Sequence, residues 1–306
     1  MRAGVAGVEG VRSHSGRLWR ARLEPYLWVA PAVIVFFIFT LLPLLVGLWL
    51  SFVSWDGLAA VRPVGLANYA DVLRDNTFWQ AIQHNAIYAA GTVVGKVVLA
   101  LALAVLLNQT LPGRAIFRTA LFLPVVLSFI VVGLLWSWIY NYNFGLANGL
   151  LTTLGLGSLK QDWLGNSSLA LGALIVVDIW KWFGFHMVIN LAGLQSIPPE
   201  MYEAARIDGA NSWQLFRRIT IPLLQPVTMI NVTLATLGAF NVFDLVYVMT
   251  EGGPANSTNV AMMDIYLQAF QFYRFGYASA MSFVLLILVS IISLGILRVM
   301  NRERYF

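Results

Sequence analysis

Six apolar stretches, each long enough to cross a lipid bilayer, constrain the fold of this chain more than any other feature. A spanning helix needs roughly 20 mostly apolar residues, and the stretches that qualify lie at about 26–52, 85–107, 117–140, 169–194, 223–249 and 278–300. Only 11% of the residues are charged, whereas a soluble domain carries about 25%. The sequence therefore predicts an all-α, polytopic membrane protein with six transmembrane helices.

Most of the 19 Lys and Arg residues lie on one side of the predicted spans: at the termini, around the 108–117 loop, and between spans four and five. Cytoplasmic loops are enriched in these residues, and six spans put both termini on one side. We expect a cytoplasmic tail at 1–25, a transmembrane domain at 26–306 and both termini in the cytoplasm. The net charge of +5 records this topology, so nucleic acid is not an expected partner.

The chain lacks the residue patterns of most catalytic sites. It has no cysteine, which excludes a disulfide framework and a thiolate metal site, and its three histidines have no metal-ligand spacing. The nearest approach to a phosphate-binding G-x-x-x-x-G-K-[ST] loop is TVVGKV at Thr92–Val97, which lacks the first glycine and the Ser or Thr. We expect no enzyme, no metal and no bound ATP in this chain. Gly91 and Gly95 instead predict a close contact between helices.

A polar stretch, EAARIDGANSWQLFRRITIP at Glu203–Pro222, interrupts the apolar runs. It predicts a helix from about Pro199 that stops at Asp208 and Gly209, with Gly209 suited to a left-handed cap. Asn211, with Gln214 three residues later, predicts a capping box at the start of a second helix.

The second helix of this stretch is amphipathic, with Leu215, Phe216 and Ile219 on one face. A short helix with an apolar face must bury it against something. The residues alone leave two alternatives open: the face lies on the membrane or on the chain's own spans, or it docks into another protein.

The stretch resembles the EAA motif of ABC importer permeases. The matching residues are Glu203, Ala204, Ala205, Asp208, Gly209, Ala210, Phe216, Ile219 and Pro222. Two later stretches, FDLVYVMTEGGPANST at Phe243–Thr258 and FGYASAMS at Phe275–Ser282, resemble the carbohydrate branch of that family, the maltose- and glycerol-phosphate-type permeases. The resemblance implies a type I ABC importer permease fold, with a cytoplasmic coupling loop at 196–222, in a bacterial or archaeal plasma membrane.

The resemblance also implies a mechanism and a set of partners. The chain would translocate a sugar or oligosaccharide, delivered by an external binding protein, by alternating access. It would pair in the lipid bilayer with a second, homologous permease and with two copies of a cytoplasmic ATPase subunit, which bind ATP and Mg²⁺. Glycerol phosphate or another non-sugar solute is the alternative cargo, and an intramembrane enzyme is the alternative class.

The same resemblance implies roles within the coupling loop. Glu203 would pair with a basic group of the ATPase, Gly209 would allow the bend, and an apolar trio would fill a pocket of the ATPase. That trio comprises Leu215, Phe216 and Ile219; Ala204, Ala205 and Asp208 complete the motif.

Polar residues within spans are functional candidates because they are costly to bury in lipid. In span five, Asn241, Asp244 and Tyr247 have the spacing of roughly one helix face, and the resemblance places the Asn241 region at the sugar site. Span four adds Asn190 and Trp182. For Asn241, Asp244 and Tyr247 the alternative role is hydrogen bonding between helices.

Three charged residues within spans need partners. Asp178 and Lys181 have i, i+3 spacing and are expected to neutralise each other on one helix, with a proton or ion relay as the alternative. Lys96 also needs an acid, for which Asp178 and Asp244 are the candidates.

Overall fold

The computed structural model describes residues 15–109 and 112–302 and, within these ranges, the side chains of residues 25–298. The regular secondary structure of the described segments is almost entirely helical. The helices are, in chain order, α1 (Ser15–Phe36), α2 (Leu42–Leu50), α3 (Ala67–Arg74), α4 (Asn76–Leu107), α5 (Arg114–Val126), α6 (Phe129–Ile139), α7 (Leu146–Thr153), α8 (Ala170–Gln195), α9 (Pro199–Ile207), α10 (Ser212–Leu215), α11 (Ile221–Leu223), α12 (Gln225–Phe240), α13 (Asp244–Met249), α14 (Ala261–Tyr266) and α15 (Phe275–Arg302).

Short irregular turns connect or interrupt several helices. Five-residue π-helical turns lie at Phe37–Leu41, Phe216–Thr220 and Leu267–Gln271, and a 3-10 turn lies at Gly157–Leu159. Strands in the described ranges are limited to β1 (Val53–Ser54) and β2 (Arg62–Pro63), which pair antiparallel with Val53 opposite Pro63. These elements support the predicted all-α class.

Four continuous helical segments of the described chain are long and apolar enough to span a membrane: Pro25–Leu50, Asn76–Leu107, Ala170–Gln195 and Phe275–Arg298. Two bent pairs raise the number to six if each pair is one span. The first joins α5 and α6 at 99°, and the second joins Ser212–Leu223 to α12 at 65°. The prediction of six spans agrees with this upper count, but two of the spans are not straight helices.

The bend in span three has a local cause. Pro124 lies in the last turn of α5, where it has no N–H to continue the helix. Ser128 then caps α6, because its hydroxyl accepts a hydrogen bond from the amide of Val131 (3.3 Å). The span predicted over 117–140 is therefore a pair of helices with a sharp bend between them.

Span five is also shorter than predicted. The α12 helix ends at Phe240, Phe243 has φ −142° and ψ −60°, and a separate helix begins at Asp244. Asn241 closes α12 and donates a side-chain hydrogen bond to the carbonyl of Leu237 (2.9 Å). Asparagine favours such caps over helix interiors. Asn241, Asp244 and Tyr247 therefore do not lie on one face of a single helix.

The chain forms two compact units, Met1–Leu50 and Ser51–Phe306. In the first unit, α1 begins at Ser15, inside the segment predicted as a tail, and residues 1–14 lie outside the described ranges. The boundary between tail and transmembrane domain at 25/26 stays a prediction.

In the second unit, α4 and α8 pack closely. A Cβ atom on Gly91 would lie 3.0 Å from the side chain of Ile175, and one on Gly95 would meet Ile179 still more closely. The predicted glycine contact is confirmed. Around it, a core of fully buried side chains joins α4, α8, α13 and α15, and includes Tyr88, Leu174, Leu245 and Met281.

Candidate functional sites

The loop between α8 and α12 has the local structure that its residues predict. The α9 helix ends at Ile207, and Gly209 follows with φ +83°, a left-handed conformation that favours glycine. Asn211 and Gln214 form the capping box, since each backbone amide donates to the other's side-chain oxygen, at 2.8 and 2.9 Å. The helix, bend and second helix are all confirmed.

The second helix of the loop is anchored to the chain by one face. Leu215 is only 8% exposed, and Thr220, also buried, bonds through its hydroxyl to that of Tyr202 (3.1 Å) in α9. Phe216 and Ile219 are half-buried. Leu215, expected to fill a pocket in a partner, is instead enclosed by its own chain.

Other side chains of the loop are exposed in the part of the chain that the structure describes. Trp213 is 64% exposed and Ile207 is 86% exposed, and the rings of Trp213 and Phe216 lie 5.8 Å apart. Glu203, Ala204 and Asp208 are also exposed, while Ala205 is half-buried. Trp213 and Ile207 are not among the predicted coupling residues, although a tryptophan in a polar loop is a signal for an interface.

A cavity of about 420 Å³ lies among α4, α8, α12 and the start of α13. Its walls are mostly apolar and carry a few polar side chains. The polar and aromatic groups that line it are Lys96, Asp178, His186, Asn241, Asp244, Phe129, Trp182, Phe185 and Phe243. The cavity thus brings together three of the five candidate substrate residues, namely Trp182, Asn241 and Asp244.

The other two candidates lie outside the cavity lining. Tyr247, 39% exposed, stacks on Phe243 with ring centroids 5.4 Å apart and also contacts the ring of Tyr266. Asn190 is buried and its Oδ1 accepts a hydrogen bond from Nδ2 of Asn231 in α12 (2.9 Å). Asn190 therefore makes a hydrogen bond between α8 and α12.

An ion pair forms one wall of the cavity. Nζ of Lys96 lies 2.6 Å from Oδ2 of Asp178, and both side chains are almost fully buried. Of the two acids considered for Lys96, Asp178 is the partner. The expected pair between Asp178 and Lys181 on one helix is wrong, because Asp178 points across to α4.

Lys181 binds backbone carbonyls instead of a carboxylate. Its Nζ donates to the carbonyl oxygens of Leu127 (2.7 Å) and Val125 (3.1 Å) and lies 4.8 Å from the ring centroid of Phe129. These carbonyls lie at the end of α5, where the last carbonyl groups of a helix have no partners and carry partial negative charge. Lys181 therefore holds the bend of span three.

His186 lines the cavity but is absent from the predicted site residues, because the histidine spacing was considered only for metal binding. Its Nδ1 donates to Oδ1 of Asn231 (2.8 Å), which in turn bonds to Asn190. His186 and Asn190 have i, i+4 spacing within a span, which is the signal that could have identified the network.

A family model described as the binding-protein-dependent transport system inner membrane component matches residues 96–304. The chain belongs to this family. Its members are transport components of a membrane and not enzymes, which agrees with the expected class. The match includes the coupling loop and every residue that lines the cavity.

Full-length relatives extend the similarity to most of the chain. A trehalose/maltose transport system permease protein of Thermococcus litoralis is 36% identical over 268 residues, covering 86% of this chain and 89% of that protein. A lactose transport system permease protein of Rhizobium radiobacter is 36% identical over 272 residues, covering 88% and 91%. Both relatives are named as permeases of sugar transport systems.

The fold is also that of a solved transporter. A chain of a bacterial ABC transporter involved in the import of the acidic polysaccharide alginate superimposes with a TM-score of 0.81. The match covers 94% of this chain and 99% of that chain, at 24% sequence identity. The type I importer permease fold implied by the resemblance is confirmed.

Proposed function

We propose that this chain is a permease subunit of an ATP-driven ABC importer that moves a sugar or oligosaccharide into the cytoplasm. An external binding protein delivers the solute, and the spans alternate between outward and inward access. A second, homologous permease and two ATPase subunits complete the complex, and the ATPase subunits hold ATP and Mg²⁺. Both termini and the coupling loop face the cytoplasm.

The observation that carries this proposal is the exposed apolar and aromatic surface of a loop whose two helices are joined to each other. Trp213 and Ile207 are largely exposed among the described residues, while Leu215 is buried and Thr220 bonds to Tyr202, which joins the second helix of the loop to α9. Buried aromatic anchors supply most of the energy of an interface, and flanking charges such as Glu203 set its register. The loop is therefore suited to receive a force from a partner.

The geometry also connects that loop to the cavity. Helical structure runs from Ser212 through Leu223, turns by 65°, and continues as α12 to Phe240. Asn241, at the far end of α12, lines the cavity. Closure of the ATPase subunits would displace the loop. Because only one bend separates the loop from α12, this displacement would also move the cavity wall that α12 forms.

The sugar assignment rests on the cavity and on the relatives. Sugars present apolar ring faces that pack on aromatics and hydroxyl groups that bond to amides and carboxylates, and the cavity offers Trp182, Asn241 and Asp244. One relative is named as a trehalose/maltose permease and the other as a lactose permease. These features favour a sugar over another solute.

The test is purification of the tagged chain from its native membrane, with Trp213→Ala and Leu215→Ala compared against wild type. We expect an ATPase subunit to copurify with wild type and to be reduced at least several-fold by Trp213→Ala, with unchanged thermal unfolding of the variant. Leu215→Ala should lower the unfolding temperature because it opens a cavity, at a cost of about 2 kcal/mol or more.

Leu58→Ala is the matched control, because Leu58 is 96% exposed but lies between predicted spans one and two, a loop that the predicted topology places on the external side. It should leave copurification unchanged. If wild type retains no ATPase subunit under conditions that preserve the fold, the coupling role is refuted.

A further inference from the structure

The cationic groups at the cavity are already engaged. Lys96 is paired with Asp178, and the ammonium of Lys181 is held by the carbonyls of Val125 and Leu127. Asp244 is exposed at the start of α13, and within the described ranges no ion pair joins it to a basic side chain. The fixed charge that this cavity presents to a solute is therefore one carboxylate.

We propose that this chain's part of the transport path takes uncharged saccharides and discriminates against those that carry carboxylate or phosphate groups. The inference rests on the proposed function and specifies its substrate class. An anionic solute in the cavity would lie near Asp244 with no free cation to offset the repulsion, and low-dielectric walls strengthen interactions between charges. Glycerol phosphate, the alternative cargo, falls in the disfavoured class.

An uncharged sugar meets complementary groups in the same cavity. The rings of Trp182, Phe129 and Phe185 lie close together, with the Trp182 centroid 6.2 Å from that of Phe129 and 5.6 Å from that of Phe185. These apolar faces suit the C–H faces of a pyranose. The hydroxyl groups of the sugar can donate to the Asp244 carboxylate.

Asn241 is suited to orient such a sugar. One N–H of its amide is held by the Leu237 carbonyl (2.9 Å), so the side chain has a defined orientation. A carboxamide has two N–H donors and a carbonyl with two lone pairs, which leaves groups of both kinds for hydroxyls. This arrangement recognises hydroxyl groups without requiring charge.

A shared fold does not fix the charge of the cargo. The solved transporter with the same fold imports alginate, an acidic polysaccharide. The side chains that line the cavity are therefore one place where the charge of the cargo can be selected. In this chain those side chains favour the uncharged class.

The experiment uses the complete transporter, purified with its partner subunits and reconstituted in proteoliposomes. ATP is supplied on the side of the membrane that the ATPase subunits face. Uptake is measured for maltose, trehalose and lactose and for the same disaccharides with their 6-hydroxyl carbons oxidised to carboxylates. The paired sugars differ in charge and little else. Variants are Asp244→Asn and Asp244→Lys, with Asp71→Asn as the control, because Asp71 is an exposed carboxylate outside the cavity.

We expect wild type to prefer the neutral member of a transported pair by roughly fivefold or more, the ratio that like charges produce across a partly wet site. Asp244→Asn should bring the ratio toward one, Asp244→Lys should favour the carboxylated sugar, and Asp71→Asn should behave as wild type. Direct binding to the detergent-solubilised complex, measured at low and high salt, separates the effect from selection by the binding protein. The preference should shrink as salt rises.

Two outcomes overturn the inference: wild type favours the carboxylated sugar, or the preference for the neutral sugar is unchanged in Asp244→Asn. The proposed function fails in a different way, by absence of a copurifying ATPase or of ATP-driven uptake of any saccharide in the panel. The two failures are therefore distinguishable.

Discussion

Lys96 and Asp178 belong to different helices, and each makes the burial of the other tolerable. Both side chains are nearly solvent-free, with 2.6 Å between Nζ and Oδ2. Removal of one partner leaves an uncompensated buried charge, whereas replacement of both by apolar residues is often neutral. The pair therefore links α4 to α8 at the cavity wall. Loss of either residue alone is expected to lower the stability of the fold.

We predict that Lys96→Met and Asp178→Leu each destabilise the chain, by about 3–5 kcal/mol. The double variant should recover most of that loss, because no charge is left unpaired. Thermal unfolding of the detergent-solubilised protein measures the effect. Additive losses in the double variant would show that the two side chains act independently.

Asp264, in α14 between predicted spans five and six, is a second buried acid. Burial and the carboxylate of Asp75 raise the pKa of Asp264 to about 6, although the amide of Gln268 acts in the opposite direction. The folded state therefore prefers the protonated acid. Its contribution to stability is fully present below the unfolded pKa near 3.8 and is lost as the pH rises through about 6.

We predict that Asp264→Asn raises the free energy of unfolding at pH 7.5 by about 2 kcal/mol. At this pH wild type must bury an ionised carboxylate, whereas asparagine is uncharged. The advantage should disappear near pH 4, where wild type is itself protonated. Unfolding temperatures of both proteins across pH 4 to 8 measure it. A constant difference over this range would contradict the assignment.

Contact between helices depends on glycine at particular positions of α8. A Cβ atom on Gly184 would collide with the backbone carbonyl of Leu121 in α5, and backbone moves less readily than a side chain. Gly172, in the same helix, has nothing within 4 Å of such an atom. Alanine substitutions at these two glycines therefore distinguish the effect of close packing from the effect of helix propensity.

We predict that Gly184→Ala destabilises the chain by about 1–3 kcal/mol through overpacking. Gly172→Ala should instead stabilise it, by up to about 1 kcal/mol, because alanine favours the helix. Unfolding temperatures of the two variants in the same detergent provide the comparison. Equal effects in both variants would rule out close packing of α5 on α8 as the cause.

At the scale of the whole molecule, orientation in the membrane is the property on which the proposed coupling depends. The chain has no native cysteine, so single cysteines report on topology without background. Leu58 is almost fully exposed in a loop predicted to be external, and Ser212 is exposed in the coupling loop.

We predict that a membrane-impermeant thiol reagent labels Leu58→Cys in intact cells and labels Ser212→Cys only after the membrane is permeabilised. The positive charge around the coupling loop is the physical reason, since it disfavours translocation of that loop. The wild-type chain, which has no cysteine, is the negative control for labelling. Labelling in the reverse order would invert the predicted topology.

Several features of the fold and the site follow from local chemistry and were predictable. The apolar runs determine the number of candidate spans, because a helix in lipid must satisfy its backbone internally. Gly209, Asn211 and Gln214 act on their immediate neighbours, so the bend and the capping box of the coupling loop could be predicted from residues alone.

The family motif, with its match over residues 96–304, is likewise a property of the linear chain. It indicates what kind of protein this is without reference to any contact. The exposed residues of the coupling loop could not be predicted in the same way. The choice of Leu215 as the buried side chain and Trp213 as the exposed one depends on the tertiary packing of the loop.

The sequence by itself determined the helical class, the membrane location and the coupling loop, because each depends on residues that are near one another along the chain. Only the tertiary structure decided that Asp178 pairs with Lys96 and not with Lys181, that span five stops at Asn241, and that Trp182 and Asp244 share one cavity. The physical reason is that the partner of a buried charge depends on distances between packed helices. Those distances cannot be derived from residue spacing along one helix.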